Sequence, residues 1–263
     1  MPELPEVETV VRTLREKVLG HTILKLENIS PSTVVEEQPF VPFVVSSVSR
    51  RGKYIIISGP EVQHITIHLR MTGRLIAVPT HSRFVRAIIH TDQHQLHFED
   101  MRRFGRIMYT AQSSIDDLPG IRNLGPEPWD KILDTTWYPM IHRSHKAIKT
   151  FLLDQTKIAG IGNIYADESC FHAHILPQRL ASTLTKKEAA ILLNSVRYIL
   201  NKAICLRGTS FAHFIDTDGK KGSNIEFLMV YGRKKLPCIV CKRALCSQKL
   251  QGRTTVYCTQ CQK

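Results

Sequence analysis

Two Cys-x-x-Cys motifs near the end of the chain constrain its fold more than any other feature. Cys238 and Cys241 form the first motif, Cys258 and Cys261 form the second, and sixteen residues separate the two. This spacing is typical of a four-cysteine zinc site, in which thiolates surround the ion as a tetrahedron. A segment this short cannot bury a hydrophobic core of its own. The motifs therefore predict one structural zinc ion that holds a zinc-finger β-hairpin over residues 226–263.

The charge of the chain indicates the partner that such a hairpin meets. Thirty-six lysines and arginines against 23 aspartates and glutamates give a net charge of +13, and no acidic residue follows Glu226. An excess of positive charge of this size predicts a polyanionic partner. Two interpretations of the hairpin are open: a purely structural zinc site, or a support that carries basic residues to nucleic-acid phosphates.

The sequence carries no signal for a membrane or for secretion. It has no apolar run of about 18 residues, no lipidation motif and no basic amphipathic anchor. Its first residues include glutamates rather than lysines, so they do not form a secretory signal. Seven cysteines, four of them in the two motifs, favour a reducing compartment over disulfides. We therefore expect a soluble, cytoplasmic protein that does not associate with membranes.

Residues 119–139 divide the chain, because proline and glycine interrupt any periodicity there. Before this boundary, short strand-like runs separated by turns predict an antiparallel sandwich. In the run 64–70, apolar residues alternate with polar ones, which puts His64 and His68 on the polar face. A metal site is one interpretation of this pair. We expect the two histidines to face solvent or DNA instead, because no other residue nearby has ligand spacing.

After the boundary the pattern is helical. Residues 147–155 and 163–172 have helical periodicity on either side of a glycine-containing turn, and Thr185–Glu188 is typical of a capping box that starts a long helix. The turn before Asn163 is either a plain connection, or a place where small residues let a phosphate approach backbone N–H groups. Residues 216–224, rich in turn formers, indicate a mobile loop.

The opening Met1-Pro2-Glu3-Leu4-Pro5-Glu6-Val7-Glu8 also has two interpretations. It is typical of a helix start, with proline in the first turn, glutamates near the positive end of the helix dipole, and an apolar stripe that continues to Leu14. It also contains the parts of an amine-based active site. If Met1 is removed, Pro2 presents a secondary amine beside Glu3 and Glu6, whose carboxyl groups can donate and shuttle protons.

Two stretches of the first half have the chemistry to fill the space left by a base extruded from duplex DNA. Met71 stands at a strand end before a turn, and Phe104 follows two arginines, whose guanidinium groups can stack on bases and hydrogen-bond to them. The alternative is that Met71 and Phe104 are core residues and that the arginines are solvated.

The opening heptad resembles the start of the formamidopyrimidine-DNA glycosylase family, and similar stretches follow in the family's order along essentially the whole chain. Examples are Arg51-Gly52-Lys53-Tyr54, Leu124-Gly125-Pro126-Glu127-Pro128 and Gly252-Arg253-Thr254. The resemblance implies an α+β multidomain protein with an N-terminal catalytic antiparallel β-sandwich and flanking helices over residues 1–130. A helix–two-turns–helix DNA-binding domain over 131–225 and the zinc finger would follow. It also implies a monomer in the bacterial cytoplasm that associates with the nucleoid by binding DNA.

The resemblance further implies a bifunctional DNA glycosylase and AP lyase of base-excision repair. Its partner is damaged double-stranded DNA, and its substrates are oxidised purines, namely formamidopyrimidines and 8-oxoguanine. The implied catalytic residues are Pro2 as Schiff-base nucleophile, Glu3 as acid at the sugar ring oxygen, Glu6 as a supporting group, Lys53 as proton donor in β-elimination, and Arg253 in phosphate binding and δ-elimination. The residues expected to contact DNA are the void-filling Met71, Arg102 and Phe104, with Arg83, Lys149, Asn163 and Tyr231.

The chain departs from the family's pattern at three places. Thr80-His81-Ser82-Arg83 stands where a Lys-His-x-His turn is expected, and Ser144 and His145 partly replace expected basic residues. Arg207 stands where a second glycine often precedes Gly208. Arg83 can serve a phosphate by its charge alone.

Two rival functions stay open. A glycosylase of the endonuclease VIII type would act on oxidised pyrimidines, but Leu4 and Val7 in the opening heptad do not favour it. A non-catalytic zinc protein that binds DNA would explain the charge and the cysteines. It would make the presence of Pro2, Glu3 and Lys53 a coincidence.

Overall fold

The computed structural model describes residues 1–112, 114–211 and 214–263, which form two compact units. The N-terminal unit consists of residues 1–122 and 206–225, and the C-terminal unit consists of residues 123–205 and 226–263. The three domains expected from the sequence stay a prediction. Residues 206–225, expected in the helical domain, group with the sandwich by their contacts.

A helix and two five-stranded sheets build the described part of the N-terminal unit. Its elements are α1 (Leu4–Val18), β1 (Thr22–Asn28), β2 (Val34–Glu36), β3 (Phe43–Val44), β4 (Ser47–Arg51), β5 (Tyr54–Ser58), β6 (Gln63–His68), β7 (Gly73–Ile76), β8 (Val85–Thr91), β9 (Gln95–Asp100) and β10 (Arg106–Ala111). One sheet has the order β3-β1-β8-β9-β7 and the other the order β2-β10-β6-β5-β4. The predicted sandwich is confirmed, with one parallel pair at an edge, between β2 and β10.

The core of this unit lies between α1 and the two sheets. The apolar stripe of α1 is buried, with Val7, Val10 and Leu14 each no more than 1% exposed, and it shares one cluster with isoleucines of β5 and β6. Apolar residues at helical spacing form a single face, which explains why this helix packs on the sandwich. The helix ends at Val18, two residues before Gly20, whose φ of +79° is unfavourable for residues with a side chain.

The expectation that His64 and His68 face solvent or DNA is wrong, because both side chains are buried. His64 Nδ1 lies 2.8 Å from Ser58 Oγ, and its Nε2 lies 3.1 Å from the Gln112 carbonyl oxygen. His68 Nδ1 accepts the Arg70 N–H at 3.0 Å. The alternation of β6 correctly puts both histidines on one face, but other residues cover it: the Gln112 carbonyl contacts His64, and the Tyr54 ring lies 4.6 Å from the His68 ring, centroid to centroid. Periodicity cannot reveal that a distant segment covers a face.

Helices and a short hairpin build the described part of the C-terminal unit. Its elements are α2 (Ile132–His142), α3 (Ile148–Leu153), α4 (Asn163–His172), α5 (Lys186–Cys205), β11 (Cys246–Leu250) and β12 (Arg253–Tyr257). The predicted capping box is confirmed, since Thr185 Oγ1 accepts the Glu188 N–H at 3.2 Å and the Glu188 carboxylate accepts the Thr185 N–H at 2.8 Å. Within the described ranges, every helix is too short or too polar to cross a membrane.

Candidate active site and nucleic-acid interface

The Glu6 carboxylate holds the start of α1. Its Oε2 accepts the Glu3 N–H at 2.8 Å, and its Oε1 accepts the Thr209 N–H at 2.7 Å. Both glutamates are 1% exposed, and Pro2 is buried beside them. Gly208 has a φ of +80°, and a Cβ there would stand 2.9 Å from Glu6 Oε1. A side chain at 208 would be strained by this φ and would crowd Glu6, so glycine suits the close approach of residues 208–209. The Glu6 carboxylate in turn fixes the backbone of Glu3, directly after Pro2.

Lys53 lies in the two-residue turn between β4 and β5. The strands pair Arg51 with Tyr54, and Gly52 takes a φ of +57°, which the tight turn requires. Lys53 is only 7% exposed. The pKa of the neighbouring His68 is lowered to about 3, chiefly by burial and also by the positive charges of Arg70 and Lys53. The Lys53 ammonium thus belongs to a partly desolvated site beside a neutral imidazole.

The loops predicted to fill a void in DNA are exposed. Met71 and Phe104 have 42% and 48% of their surface accessible, which excludes the alternative that they are core residues. The exposed Arg102 guanidinium stacks over the Phe104 ring, with 4.8 Å from Cζ to the ring centroid. Arg83 is also exposed, and its guanidinium lies 5.0 Å from the centroid of Phe84.

Lys149 is placed differently from the expectation. It is 0% exposed, and its Nζ lies 2.8 Å from Asp167 Oδ1 and donates to the Thr254 carbonyl at 2.9 Å. A direct contact with DNA does not fit this placement, because the ammonium faces the protein interior. Asn163 also donates to the Thr254 carbonyl, at 3.3 Å. Both side chains therefore hold the residue that follows the exposed Arg253.

Two acidic residues of α4 that the sequence analysis missed organise the hairpin and the segment before it. Asp167 Oδ2 accepts the Val256 N–H at 3.1 Å, and burial raises the pKa of Asp167 to about 7 even though Lys149 opposes the shift. The Glu168 carboxylate accepts N–H groups from residues 229, 230 and 231 at 2.8 to 2.9 Å, so it fixes the backbone of Tyr231. No local signal marks these residues, because the backbone N–H groups that they accept lie more than 60 positions away.

Residues 216–224, predicted as a mobile loop, begin with an anchored turn. The Asp216 carboxylate is 0% exposed and accepts the N–H groups of Asp218 and Lys220, both at 2.9 Å. Asp216 also pairs with Arg207, one of the departures from the family's pattern. Arg207 takes a φ of +60°, a conformation that suits the glycine often found there. The ion pair with Asp216 holds this arginine in that backbone conformation.

The four cysteines of the two motifs lie together and fit a metal ion. Their sulfur atoms are all within 4.8 Å of one another, with 3.8 Å between Cys238 and Cys261 and 3.4 Å between Cys241 and Cys258. A tetrahedral zinc site with bonds of about 2.3 Å places its sulfurs about 3.8 Å apart. A small apolar cluster that includes Phe171, Leu245 and Val256 packs beside them.

Comparison with known proteins agrees with this arrangement. Residues 1–107 match the model of the formamidopyrimidine-DNA glycosylase N-terminal domain, and residues 124–214 match that of the formamidopyrimidine-DNA glycosylase H2TH domain. A formamidopyrimidine-DNA glycosylase of Pelotomaculum thermopropionicum is 42% identical over 274 residues, covering 100% of this chain and 99% of the relative.

Two solved structures are similar over their whole length. The MutM (Fpg) protein of Thermus thermophilus superposes with a TM-score of 0.92 at 34% identity, covering 99% of this chain and 98% of its own. MutM in complex with DNA that contains carbocyclic 8-oxo-G gives a TM-score of 0.88 at 33% identity, covering 100% of both chains. With both domain models matched in order and relatives aligned from end to end, this chain belongs to the formamidopyrimidine-DNA glycosylase family.

Proposed function

We propose that this protein is a base-excision repair glycosylase that removes oxidised purines from duplex DNA and then cuts the strand. The observation that carries the proposal is the pair of hydrogen bonds that the Glu6 carboxylate accepts from the N–H groups of Glu3 and Thr209. These bonds fix the backbone of Glu3, directly after Pro2. A nucleophilic amine must be held at a defined position to attack a sugar carbon. The complex of a MutM protein with 8-oxo-G DNA supports the class of substrate.

Pro2 is the nucleophile in this proposal. Once Met1 is removed, the neutral secondary amine attacks C1′ of the damaged nucleotide, and the C1′–N bond breaks so that the base leaves with its electron pair and a proton. Glu3 protonates the ring oxygen, the sugar opens, and an iminium joins C1′ to the proline nitrogen. Loss of a C2′ proton then expels the 3′ phosphate in β-elimination, with Lys53 as proton donor. Arg253 binds phosphate and assists δ-elimination of the 5′ phosphate.

Several side chains contact DNA directly in this proposal. Met71, Arg102 and Phe104 enter the duplex, Arg83, Asn163 and Arg253 meet the backbone, and Tyr231 flanks the segment over the damaged base. Lys149 acts indirectly, by holding Thr254 beside Arg253. One zinc ion on the four cysteine sulfurs holds the hairpin in shape, and it supplies no chemistry to the reaction.

Borohydride trapping tests the proposal. Reduction during the reaction should freeze the iminium as a covalent protein–DNA adduct, and digestion with mass mapping should place it on the N-terminal peptide. Pro2→Gly leaves a weaker primary amine and should retain some trapping. Glu3→Gln removes the acid and should slow excision by roughly 10²–10⁴-fold. Glu16→Gln, an exposed carboxylate on the same helix, is the matched control and should leave excision unchanged.

The alternatives give different results in the same assay. An adduct on Lys53 would keep the lyase but remove Pro2 as nucleophile. No adduct on any lesion would leave a zinc protein that only binds DNA. Faster excision of oxidised pyrimidines than of 8-oxoguanine would favour the endonuclease VIII type of specificity.

A further inference from the structure

We propose that Asp100 and Thr72 are positioning residues that join the two void-filling loops into one rigid wedge, and that this joint sets how well the enzyme discriminates the base opposite the lesion. The inference rests on the proposed function. It concerns residues that do not reach the DNA themselves.

The two loops are neighbours because of the strand order. The first, residues 69–72, leads from β6 to β7, and the second, residues 101–105, leads from β9 to β10. Strands β7 and β9 pair in one sheet, while β6 and β10 pair in the other. Both loops therefore cross between the sheets at the same end of the sandwich. Gly73 and Asp100 are directly paired where the loops leave the first sheet.

The Asp100 side chain ties the two loops to each other. It is 1% exposed, and its Oδ1 accepts both the Thr72 hydroxyl and the Arg102 N–H, the latter at 3.1 Å. Its Oδ2 accepts the Gly105 N–H at 2.7 Å. The Thr72 hydroxyl oxygen in turn accepts the Arg102 N–H at 3.1 Å. One carboxylate thus fixes the backbone on both sides of Phe104 and holds the first loop against it.

The backbone of Asp100 is anchored as well. Its N–H donates to the Phe84 carbonyl at 2.9 Å, and its carbonyl accepts from Arg86 Nε at 2.9 Å. Every polar atom of Asp100 therefore has a partner: its backbone binds β8 and the residue before it, and its side chain binds the two loops. A buried carboxylate is unfavourable unless all its acceptors are used, as they are here.

The loops need such a joint because each contains a residue in a strained conformation. Arg70 has a φ of +53° directly before Met71, and Arg103 has a φ of +59° directly before Phe104. Left-handed backbone at residues with side chains persists only where surrounding contacts hold it. Loss of the joint should let both loops relax toward ordinary turns. The exposed Met71, Arg102 and Phe104 would then no longer keep a common spacing.

Rigidity of this wedge bears on specificity. An arginine that recognises one base by hydrogen bonds must present its guanidinium in a narrow range of positions. Displacement by about 1 Å is enough to lose most of the discrimination between bases. A loose wedge still fills space, but it contacts a correct and an incorrect opposite base almost equally. The joint is therefore expected to affect discrimination between opposite bases in addition to the rate of excision.

The test uses the full-length protein and three substitutions at the joint. Asp100→Asn replaces one hydrogen-bond acceptor with a donor. Thr72→Val removes the hydroxyl at similar side-chain volume, whereas Thr72→Ser keeps the hydroxyl. Excision of 8-oxoguanine is measured in single turnovers opposite cytosine and opposite adenine, and cutting of a single-stranded oligonucleotide with an abasic site is measured separately. The single strand has no opposite base and no void to fill.

Asp100→Asn and Thr72→Val should slow duplex excision about tenfold and bring the cytosine-to-adenine rate ratio close to one. Cutting of the single strand should change less than about twofold, and Thr72→Ser should behave like the parent. A parent-like rate ratio in Thr72→Val overturns the proposal, even if Asp100→Asn fails to fold. Equal losses on duplex and single strand also overturn it, because they would indicate general damage to the active site.

Amide hydrogen exchange separates this inference from the proposed function. In the free parent protein, the N–H groups of Arg102 and Gly105 should be protected, and Thr72→Val should accelerate exchange at Arg102. If the parent excises no lesion but this protection is found, the proposed function fails while the joint between the loops stands. If the parent is active but Thr72→Val leaves exchange at Arg102 unchanged, the joint fails alone.

Discussion

The Lys149 ammonium and the Asp167 carboxylate form an ion pair with 2.8 Å between Nζ and Oδ1, and solvent reaches 1% and 0% of the two side chains. The same Nζ binds the carbonyl of Thr254, while the other carboxylate oxygen binds the N–H of Val256. This pair connects α3 and α4 to strand β12. It holds the strand at the residue after Arg253.

Substitution Lys149→Met should strongly destabilise the protein. The change leaves Asp167 buried without its cation, and breaking a buried pair in this way costs about 3–5 kcal/mol. Denaturant unfolding of the full chain measures the loss. Lys187→Met, at an exposed position of α5, is the control and should change the free energy of unfolding little. An equally small effect of both substitutions would contradict the role assigned to the pair.

Removal of one metal ligand should release zinc and disorder the hairpin. Elemental analysis of the parent protein is expected to find about one zinc per chain, and Cys258→Ala should lose it, because three thiolates do not complete a structural site. Cys246 lies on the same hairpin but outside the four-cysteine cluster. Cys246→Ala should therefore keep the metal. Full zinc retention by Cys258→Ala would contradict the assignment of Cys258 as a zinc ligand.

Arg253 should contribute one phosphate contact. It is exposed and lines an open cleft together with Lys146 and Gln251. DNA affinity should fall steeply with salt, and Arg253→Ala should reduce the slope of log K against log salt by about one unit. Arg253→Lys keeps the charge and should keep the slope. Titrations at several salt concentrations measure it, and an unchanged slope in Arg253→Ala would place this residue away from the DNA backbone.

Arg102 should favour cytosine as the opposite base. A guanidinium can donate two hydrogen bonds to the O2 and N3 acceptors of cytosine, whereas the pairing edge of adenine includes a competing donor. Excision of 8-oxoguanine should therefore be faster opposite cytosine than opposite adenine. Arg102→Ala should reduce the difference between these two excision rates. Equal excision rates opposite both bases in the parent enzyme would contradict the preference for cytosine assigned to Arg102.

His68 should make the sandwich sensitive to acid. Its pKa is lowered from 6.5 to about 3 in the folded state, chiefly by burial. Between these values the unfolded chain binds a proton that the folded chain refuses, so the free energy of unfolding falls as the pH drops. The contribution of one such group is at most about 1.4 kcal/mol per pH unit.

His68→Asn tests this contribution. The asparagine oxygen can accept the Arg70 N–H in place of Nδ1 but does not titrate. Urea unfolding between about pH 4 and 7 should show a shallower loss of stability in the variant. Parallel pH profiles of parent and variant would contradict the lowered pKa, because they would mean that folding leaves the pKa of His68 unchanged.

Local patterns in the sequence determined the elements and much of the candidate site. Apolar spacing predicted α1 and its buried face, the four cysteines predicted the cluster, and the order of short motifs along the chain indicated the family. The helix could be predicted because it depends on residues within one element, and the metal cluster because each cysteine pair lies within one turn and the two pairs have a characteristic spacing. Helical and strand periodicities and metal-ligand spacings are properties of neighbouring residues.

Only the tertiary structure decided which residues far apart in the sequence form hydrogen bonds and ion pairs with each other. The Glu6 carboxylate meets the N–H of Thr209, 203 positions away, and Lys149 meets the carbonyl of Thr254, 105 positions away. Neither the burial of Lys149 nor that of His68 follows from a local pattern, because the covering segments come from elsewhere in the chain. Desolvation and hydrogen-bond pairing depend on what packs around a group. The chemical roles of such charged residues are therefore set by contacts that periodicity does not contain.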